Sequence, residues 1–130
     1  MKTTILVVDD EAEIREWVKL VLGDDKYLFT EAQDLASLRR CLGGSAPGVV
    51  ILDLKLPDGH SLTMLPELKQ KWPASKVILL TGYGTVEAAE QAYKVDPQLF
   101  LQSKPLDAGM LRALVDLALS GELAPKTMPR

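Results

Sequence analysis

The stretch that most limits what this chain can become is Gly48-Val49-Val50-Ile51-Leu52-Asp53, followed by Leu54-Lys55-Leu56-Pro57-Asp58-Gly59. Its apolar run is rich in β-branched residues and shows no polar alternation. It is too short for an independent helix. Such a run reads as a strand covered on both faces, the habit of a parallel sheet between two helical layers. Pro57-Asp58-Gly59 then breaks the chain into a turn. Asp53 is left at the mouth of a buried strand, where a carboxylate is poorly solvated unless some chemistry uses it.

The rest of the chain supplies four more strands. Thr4-Ile5-Leu6-Val7-Val8 predicts a first buried strand, ending in Asp9-Asp10-Glu11. Tyr27-Leu28-Phe29-Thr30 predicts a second, with the polar neighbours of a sheet edge. Lys76-Val77-Ile78-Leu79-Leu80 predicts a fourth, ending in Thr81-Gly82. Leu99-Phe100-Leu101-Gln102 predicts a short fifth, ending in Ser103-Lys104-Pro105.

Helical spacing fills the gaps. Ile14, Trp17, Val18, Val21 and Leu22 recur on one face before Gly23. Asp34 can cap a helix carrying Leu35, Leu38 and Leu42. Ser61 can cap the next, with Leu62, Leu65 and Leu68 inward and Pro66 disturbing its early turns. Thr85 to Lys94 reads as a fourth helix. Asp107 can cap a fifth through Met110, Leu111, Leu114, Val115 and Leu119. The expected fold is therefore α/β: a doubly wound, five-stranded parallel sheet of order 2-1-3-4-5 with five helices. One domain is expected over residues 1–120. Residues 121–130 read as a flexible C-terminal tail or the start of a linker.

Composition removes several functions. The net charge of −3 offers no basic surface for nucleic acid. The single cysteine excludes an internal disulfide and a multi-cysteine metal site, and Cys41 reads as a packed helix residue. No signal peptide and no membrane-length apolar run is present, so the expected location is the cytoplasm, without membrane contact.

In an open parallel sheet, function gathers at the C-terminal ends of the strands, at the switch point between strands one and three. Here those two strands end in Asp9-Asp10 and Asp53, and the next two end in Thr81 and Lys104. Clustered carboxylates raise one another's pKa unless a cation joins them. An all-oxygen set suits a hard ion, Mg²⁺ or Mn²⁺. A carboxylate beside such an ion, with a hydroxyl and an ammonium near, is equipped for phosphoryl transfer.

These positions in this order resemble the receiver domain of two-component response regulators. The resemblance covers about residues 4–119. It implies a flavodoxin-like, CheY-like fold in which Asp53 is the phosphoacceptor nucleophile. It implies that Asp9, Asp10 and Asp53 hold the metal ion with the backbone carbonyl of Lys55. Thr81 and Lys104 would contact the phosphoryl group, and the Lys104-Pro105 peptide would be cis. The donor would be a sensor histidine kinase or a phosphotransfer protein. Phosphorylation would switch the surface of the fourth helix, fifth strand and fifth helix toward an output domain absent from this chain, or toward a partner or a homodimer. Ile14, Trp17, Pro105 and Leu106 are the expected kinase-facing surface. The domain is expected to be a signalling switch that catalyses only its own phosphorylation and dephosphorylation.

Two positions depart from the family pattern. Such receivers carry a switch aromatic three residues before the lysine, where this chain has Leu101. Phe100 lies one place earlier, which suggests an inserted residue, Ser103 in a bulge, with Phe100 (or else Leu101) as the switch residue. Lys55 and Tyr83 flank the site and lack the carboxylate or amide that would position an attacking water. They are expected to prolong the phosphoryl lifetime.

Other functions fit less well. A haloacid-dehalogenase-type phosphatase places a DxD pair after strand one and needs room for a cap. A pseudo-receiver would not keep the acceptor, the metal acids, Thr81 and Lys104 together. A flavodoxin-like cofactor binder would need a phosphate-cradling loop after strand one. His60 reads as a solvated loop residue, and Asp58-Gly59 as turn chemistry.

Overall fold

The computed structural model describes residues 2–82 and 86–120. Five strands form its central sheet: β1 Thr3–Val8, β2 Tyr27–Ala32, β3 Val49–Asp53, β4 Lys76–Thr81 and β5 Phe100–Ser103. All neighbours are parallel, and the order is β2-β1-β3-β4-β5. Five α-helices alternate with them: α1 Ala12–Leu22, α2 Leu35–Cys41, α3 Leu65–Lys71, α4 Val86–Val95 and α5 Ala108–Leu119. The doubly wound architecture read from the sequence is the one observed.

The unbroken apolar runs are explained by two cores, one on each side of the sheet. Alternate strand residues enter opposite layers. Ile5, Val7, Ile51, Ile78 and Leu80 pack with Val18, Leu22, Leu111 and Leu114, under α1 and α5. Leu6, Val8, Val50, Leu52 and Leu79 pack with Leu38, Leu65, Leu68 and Ala92, under α2, α3 and α4. Every residue of β3 is buried. Gly48, just before it, has no room for a side chain: a Cβ there would lie 2.5 Å from Thr3 Cγ2.

Local chemistry sets the helix starts. The Asp34 carboxylate accepts from Ser37 N at 2.8 Å, and the Ser37 hydroxyl accepts from Asp34 N at 3.1 Å, a reciprocal cap on α2. Asp107 caps α5 by accepting from Met110 N at 2.7 Å. The expected cap at Ser61 is not formed. Ser61–Thr63 is a single 3₁₀ turn instead, and α3 begins later, at Leu65, with Pro66 in its first turn. The proline fits there because a first-turn N–H has no intrahelical acceptor to lose. Cys41, on the last turn of α2, is half-buried against the inner layer, and burial pushes its thiol pKa up.

Between β3 and α3 the chain makes a small antiparallel hairpin that pairs Lys55 with His60 and Leu56 with Gly59. Leu56 is buried, which anchors the hairpin to the inner core. Gly59 has a φ of 142°, a conformation that only glycine adopts easily. Among the described residues, no helix is long and apolar enough to cross a membrane.

Candidate functional site

The strand ends bring the chemistry together. Asp9 follows β1 and is buried, Asp53 closes β3 and is buried, and Asp10 beside them is exposed. One carboxylate oxygen from each of the three lies within 4.8 Å of the others. Lys104, just past β5, reaches across: its Nζ donates to Asp53 Oδ2 at 3.2 Å and to Asp9 Oδ2 at 3.3 Å. The Lys104 backbone N–H donates to the Thr81 carbonyl at 2.8 Å, which fixes the lysine's root against the end of β4. The Lys104–Pro105 peptide is cis.

An open crevice of about 700 Å³ lies over this cluster. Its walls include Asp10, Asp53, Lys55, Pro57, His60, Thr81 and Lys104. Thr81 is only 3% exposed.

The electrostatics follow from burial. Loss of solvent pushes the Asp53 carboxyl pKa up. The Lys104 ammonium pulls it down, the Asp9 charge pushes it up again, and the result lies above the ordinary carboxylate value. For Lys104, burial lowers the pKa, but the Asp53 and Asp9 carboxylates outweigh it, so the ammonium is held charged. The Lys104 ammonium thus bridges two of the three clustered carboxylates. The set is all oxygen, with no cysteine or histidine among the clustered groups. Such a donor set can hold a hard divalent ion and matches no soft metal.

Three residues in and around the crevice do more than sequence reasoning assigned them. Arg15 donates from Nη1 to the Asp9 carbonyl at 2.7 Å and from Nε to Glu31 at 2.8 Å, so it steadies the turn that bears Asp9 and Asp10. Its one legible signal is its place four residues after Glu11, on the first turns of α1. His60 is exposed, as read from the sequence, and it lines the crevice from the hairpin, paired with Lys55. Asp58 does more than shape its turn, because it bonds to the start of α2.

Phe100 is a correction. The β4–β5 register runs without interruption from Ile78 opposite Phe100 to Thr81 opposite Ser103, so Ser103 is not a bulge. Phe100 pairs with Ile78 and is buried in the layer under α1 and α5. Leu101 pairs with Leu79 and packs against the other layer. Thr81 lies two residues after Leu79 and so shares that layer's face. Phe100 is therefore on the side of the sheet away from Thr81, and of the two switch candidates Leu101 is the one on the threonine's side.

Ile14, Trp17, Pro105 and Leu106 come together around a separate apolar groove of about 600 Å³, beside the crevice, with Lys104 common to both. Tyr83 lies outside the described residues, as does the tail 121–130.

A doubly wound α/β sheet with a lysine-bridged carboxylate cluster over its switch point defines a class of protein that can seat a hard cation beside a carboxylate. A family model described as the response regulator receiver domain matches residues 5–116, and the chain belongs to that family. Receiver domains are the signalling switches of two-component systems and work with kinases and output domains. The chain is 37% identical to the response regulator protein PilR of Pseudomonas aeruginosa over 114 residues, 88% of this chain and 25% of PilR. It is 30% identical to the DNA-binding transcriptional regulator NtrC of Escherichia coli over 116 residues, 89% of this chain and 24% of NtrC. It thus spans about a quarter of the length of these relatives. Its fold is also that of a CheY-like receiver domain from Methanospirillum hungatei, with a TM-score of 0.85 at 22% identity, covering 92% of this chain and 95% of that one.

Proposed function

We propose that Asp53 accepts a phosphoryl group from a histidine kinase or phosphotransfer protein in an Mg²⁺-dependent reaction. The observation that carries this reading is the Lys104 ammonium, 3.2 Å from Asp53 Oδ2 and 3.3 Å from Asp9 Oδ2 at the mouth of the crevice. This contact sets an ammonium beside the Asp53 carboxylate at the crevice, while Asp10 stands beside them in reach of a shared cation.

The Asp53 oxygen attacks phosphorus, and the phosphorus–nitrogen bond of the phosphohistidine breaks, returning its electron pair to the imidazole. Lys104 and the Thr81 hydroxyl meet the charge on the equatorial oxygens. Asp9, Asp10, Asp53 and the Lys55 carbonyl are the groups that would hold Mg²⁺, or Mn²⁺ in its place. When bound, the ion supplies charge neutralisation for the incoming phosphoryl group.

The added charge of about −1.5 to −2 biases the surface of α4, β5 and α5. Leu101, on the face of Thr81, is the β5 side chain that follows the threonine. Ile14, Trp17, Pro105 and Leu106 receive the kinase. The switched face signals to an output domain or a second copy of the domain. The domain works in the cytoplasm, spans residues 1–120, and catalyses only its own phosphorylation and dephosphorylation.

Incubation with acetyl phosphate and Mg²⁺, followed by intact mass, tests this. Wild type is expected to gain one phosphoryl group, and Asp53→Asn none. Lys55 walls the crevice beside Asp53 and, like Tyr83, lacks a carboxylate or amide to position an attacking water, so decay of the adduct in the same samples is expected to be slow. Absence of any adduct on wild type, even with a competent kinase, would overturn the reading.

A further inference from the structure

The start of α2 needs four hydrogen-bond acceptors, because its first N–H groups have no partner within the helix. Two come from the local cap: Asp34 N donates to Ser37 Oγ, and Ser37 N donates to Asp34 Oδ1. The other two come from far along the chain. Leu35 N donates to Asp58 Oδ1 at 2.8 Å, and Ala36 N donates to Asp58 Oδ2 at 3.1 Å. One carboxylate, more than twenty residues away, thus closes the helix with both its oxygens. A negative charge there also suits the positive end of the helix.

Asp58 belongs to the hairpin that walls the crevice. Lys55, Leu56, Pro57 and His60 of that hairpin line it. The tip also packs on α2 directly, since a Cβ on Gly59 would lie 3.0 Å from Leu35 Cδ1. Leu56, paired with Gly59 beside the turn, roots the hairpin in the core, and at the base the Ser61 N–H donates to the Leu54 carbonyl at 2.8 Å. The hairpin is therefore pinned at its base by a backbone hydrogen bond and near its tip by the buried Leu56 and the Asp58 carboxylate.

We propose that Asp58 is a positioning residue, a strap that ties the crevice wall to the first turn of α2 and thereby sets the affinity of the crevice for its divalent cation. This rests on the reading of the crevice given above. Ligand groups are held in place by their neighbours, and loosening those neighbours costs affinity. Coupling of this kind is reciprocal: a cation that steadies the hairpin also steadies the α2 start.

The test is calorimetric titration of the full chain with Mg²⁺, for wild type, Asp58→Ala, Asp58→Asn and Asp34→Ala. Asp34→Ala removes the local cap and spares the strap, so it controls for fraying of α2. Asp58→Ala is expected to weaken Mg²⁺ binding about tenfold, the low end of what groups that hold metal ligands in place give. Asp58→Asn, which keeps one acceptor oxygen, falls between, and Asp34→Ala binds as wild type does. In wild type, Mg²⁺ is expected to slow amide exchange at Leu35 and Ala36. Equal Mg²⁺ affinity in wild type and Asp58→Ala overturns the strap and leaves the function standing. Equal weakening by Asp34→Ala also overturns it, because helix stability alone then explains the loss. Wild type that binds no Mg²⁺ removes the functional reading, and the strap with it.

Discussion

Phe100 and Leu101 are neighbours in β5 with opposite fates. Phe100 is 2% exposed, sealed among Ile5, Ile51, Leu111 and Leu114. Leu101 is half-buried, on the face whose strand β4 ends in Thr81. The larger, aromatic residue looks like the better switch, but parity along the strand assigns the roles. A side chain can follow Thr81 only from the threonine's side of the sheet. Phe100 fills a core, and Leu101 faces the layer that leads toward the crevice.

Three measurements can break or sharpen that contrast. The largest effect is expected at Phe100→Ala, which empties a large side chain from a closed core. It should cost about 3–5 kcal/mol in denaturant unfolding. A loss below about 1 kcal/mol would mean that the site collapses freely and that Phe100 is no core plug.

Leu101→Ala comes next, at about 1–2 kcal/mol, since only part of the side chain is withdrawn from water. It is nevertheless the variant expected to mute the chemical-shift changes in α4 when Asp53 is phosphorylated. The conservative Phe100→Leu is expected to leave those changes in place. The reverse result would return the switch to Phe100.

The smallest effect separates the strand bodies from their ends by pH. Asp53 has a raised pKa in the folded state, led by burial. Its ionisation therefore opposes folding. The favourable contribution of the neutral carboxyl is complete below the unfolded pKa and is lost as pH rises through the folded one. Asp53→Asn is expected to raise the melting temperature at pH 7 in metal-free buffer. The gain should shrink to nothing as pH falls below the carboxylate range. The cost of Phe100→Ala should not vary with pH over that interval. A melting gain for Asp53→Asn that persists in acid would show that packing, and not charge, is responsible.

The fold was readable in the sequence because hydrophobic runs and breakers are local. Val49–Leu52 has no polar alternation, so it had to be covered twice, and strand–helix alternation then left few topologies. The cluster was readable for the same reason: Asp9, Asp53, Thr81 and Lys104 each stand where a strand stops. What escaped depends on contacts between distant segments. Asp58 in a Pro-Asp-Gly turn gives no sign of which N–H groups it will meet, because they lie more than twenty residues back. Arg15 looks like any helix-surface arginine until β1 and β2 are side by side. Phe100 was misjudged because counting back from Lys104 suggested an insertion. The register, with each β5 residue matched to one in β4, shows no bulge there. Ser61 had the chemistry of a cap, but Pro66 fits best in a first turn, and the helix start moved to suit it.

Cys41 has a use that its quiet packing hides. It is the only thiol in the chain, it sits on the closing turn of α2, and burial makes it slow to ionise. Alkylating reagents attack the thiolate, so the raised pKa slows labelling of this half-buried sulfur in the folded chain. The labelling rate of this one sulfur therefore reads how closely the last turn of α2 is packed. The native chain thus carries its own probe on the helix to which the crevice wall is tied.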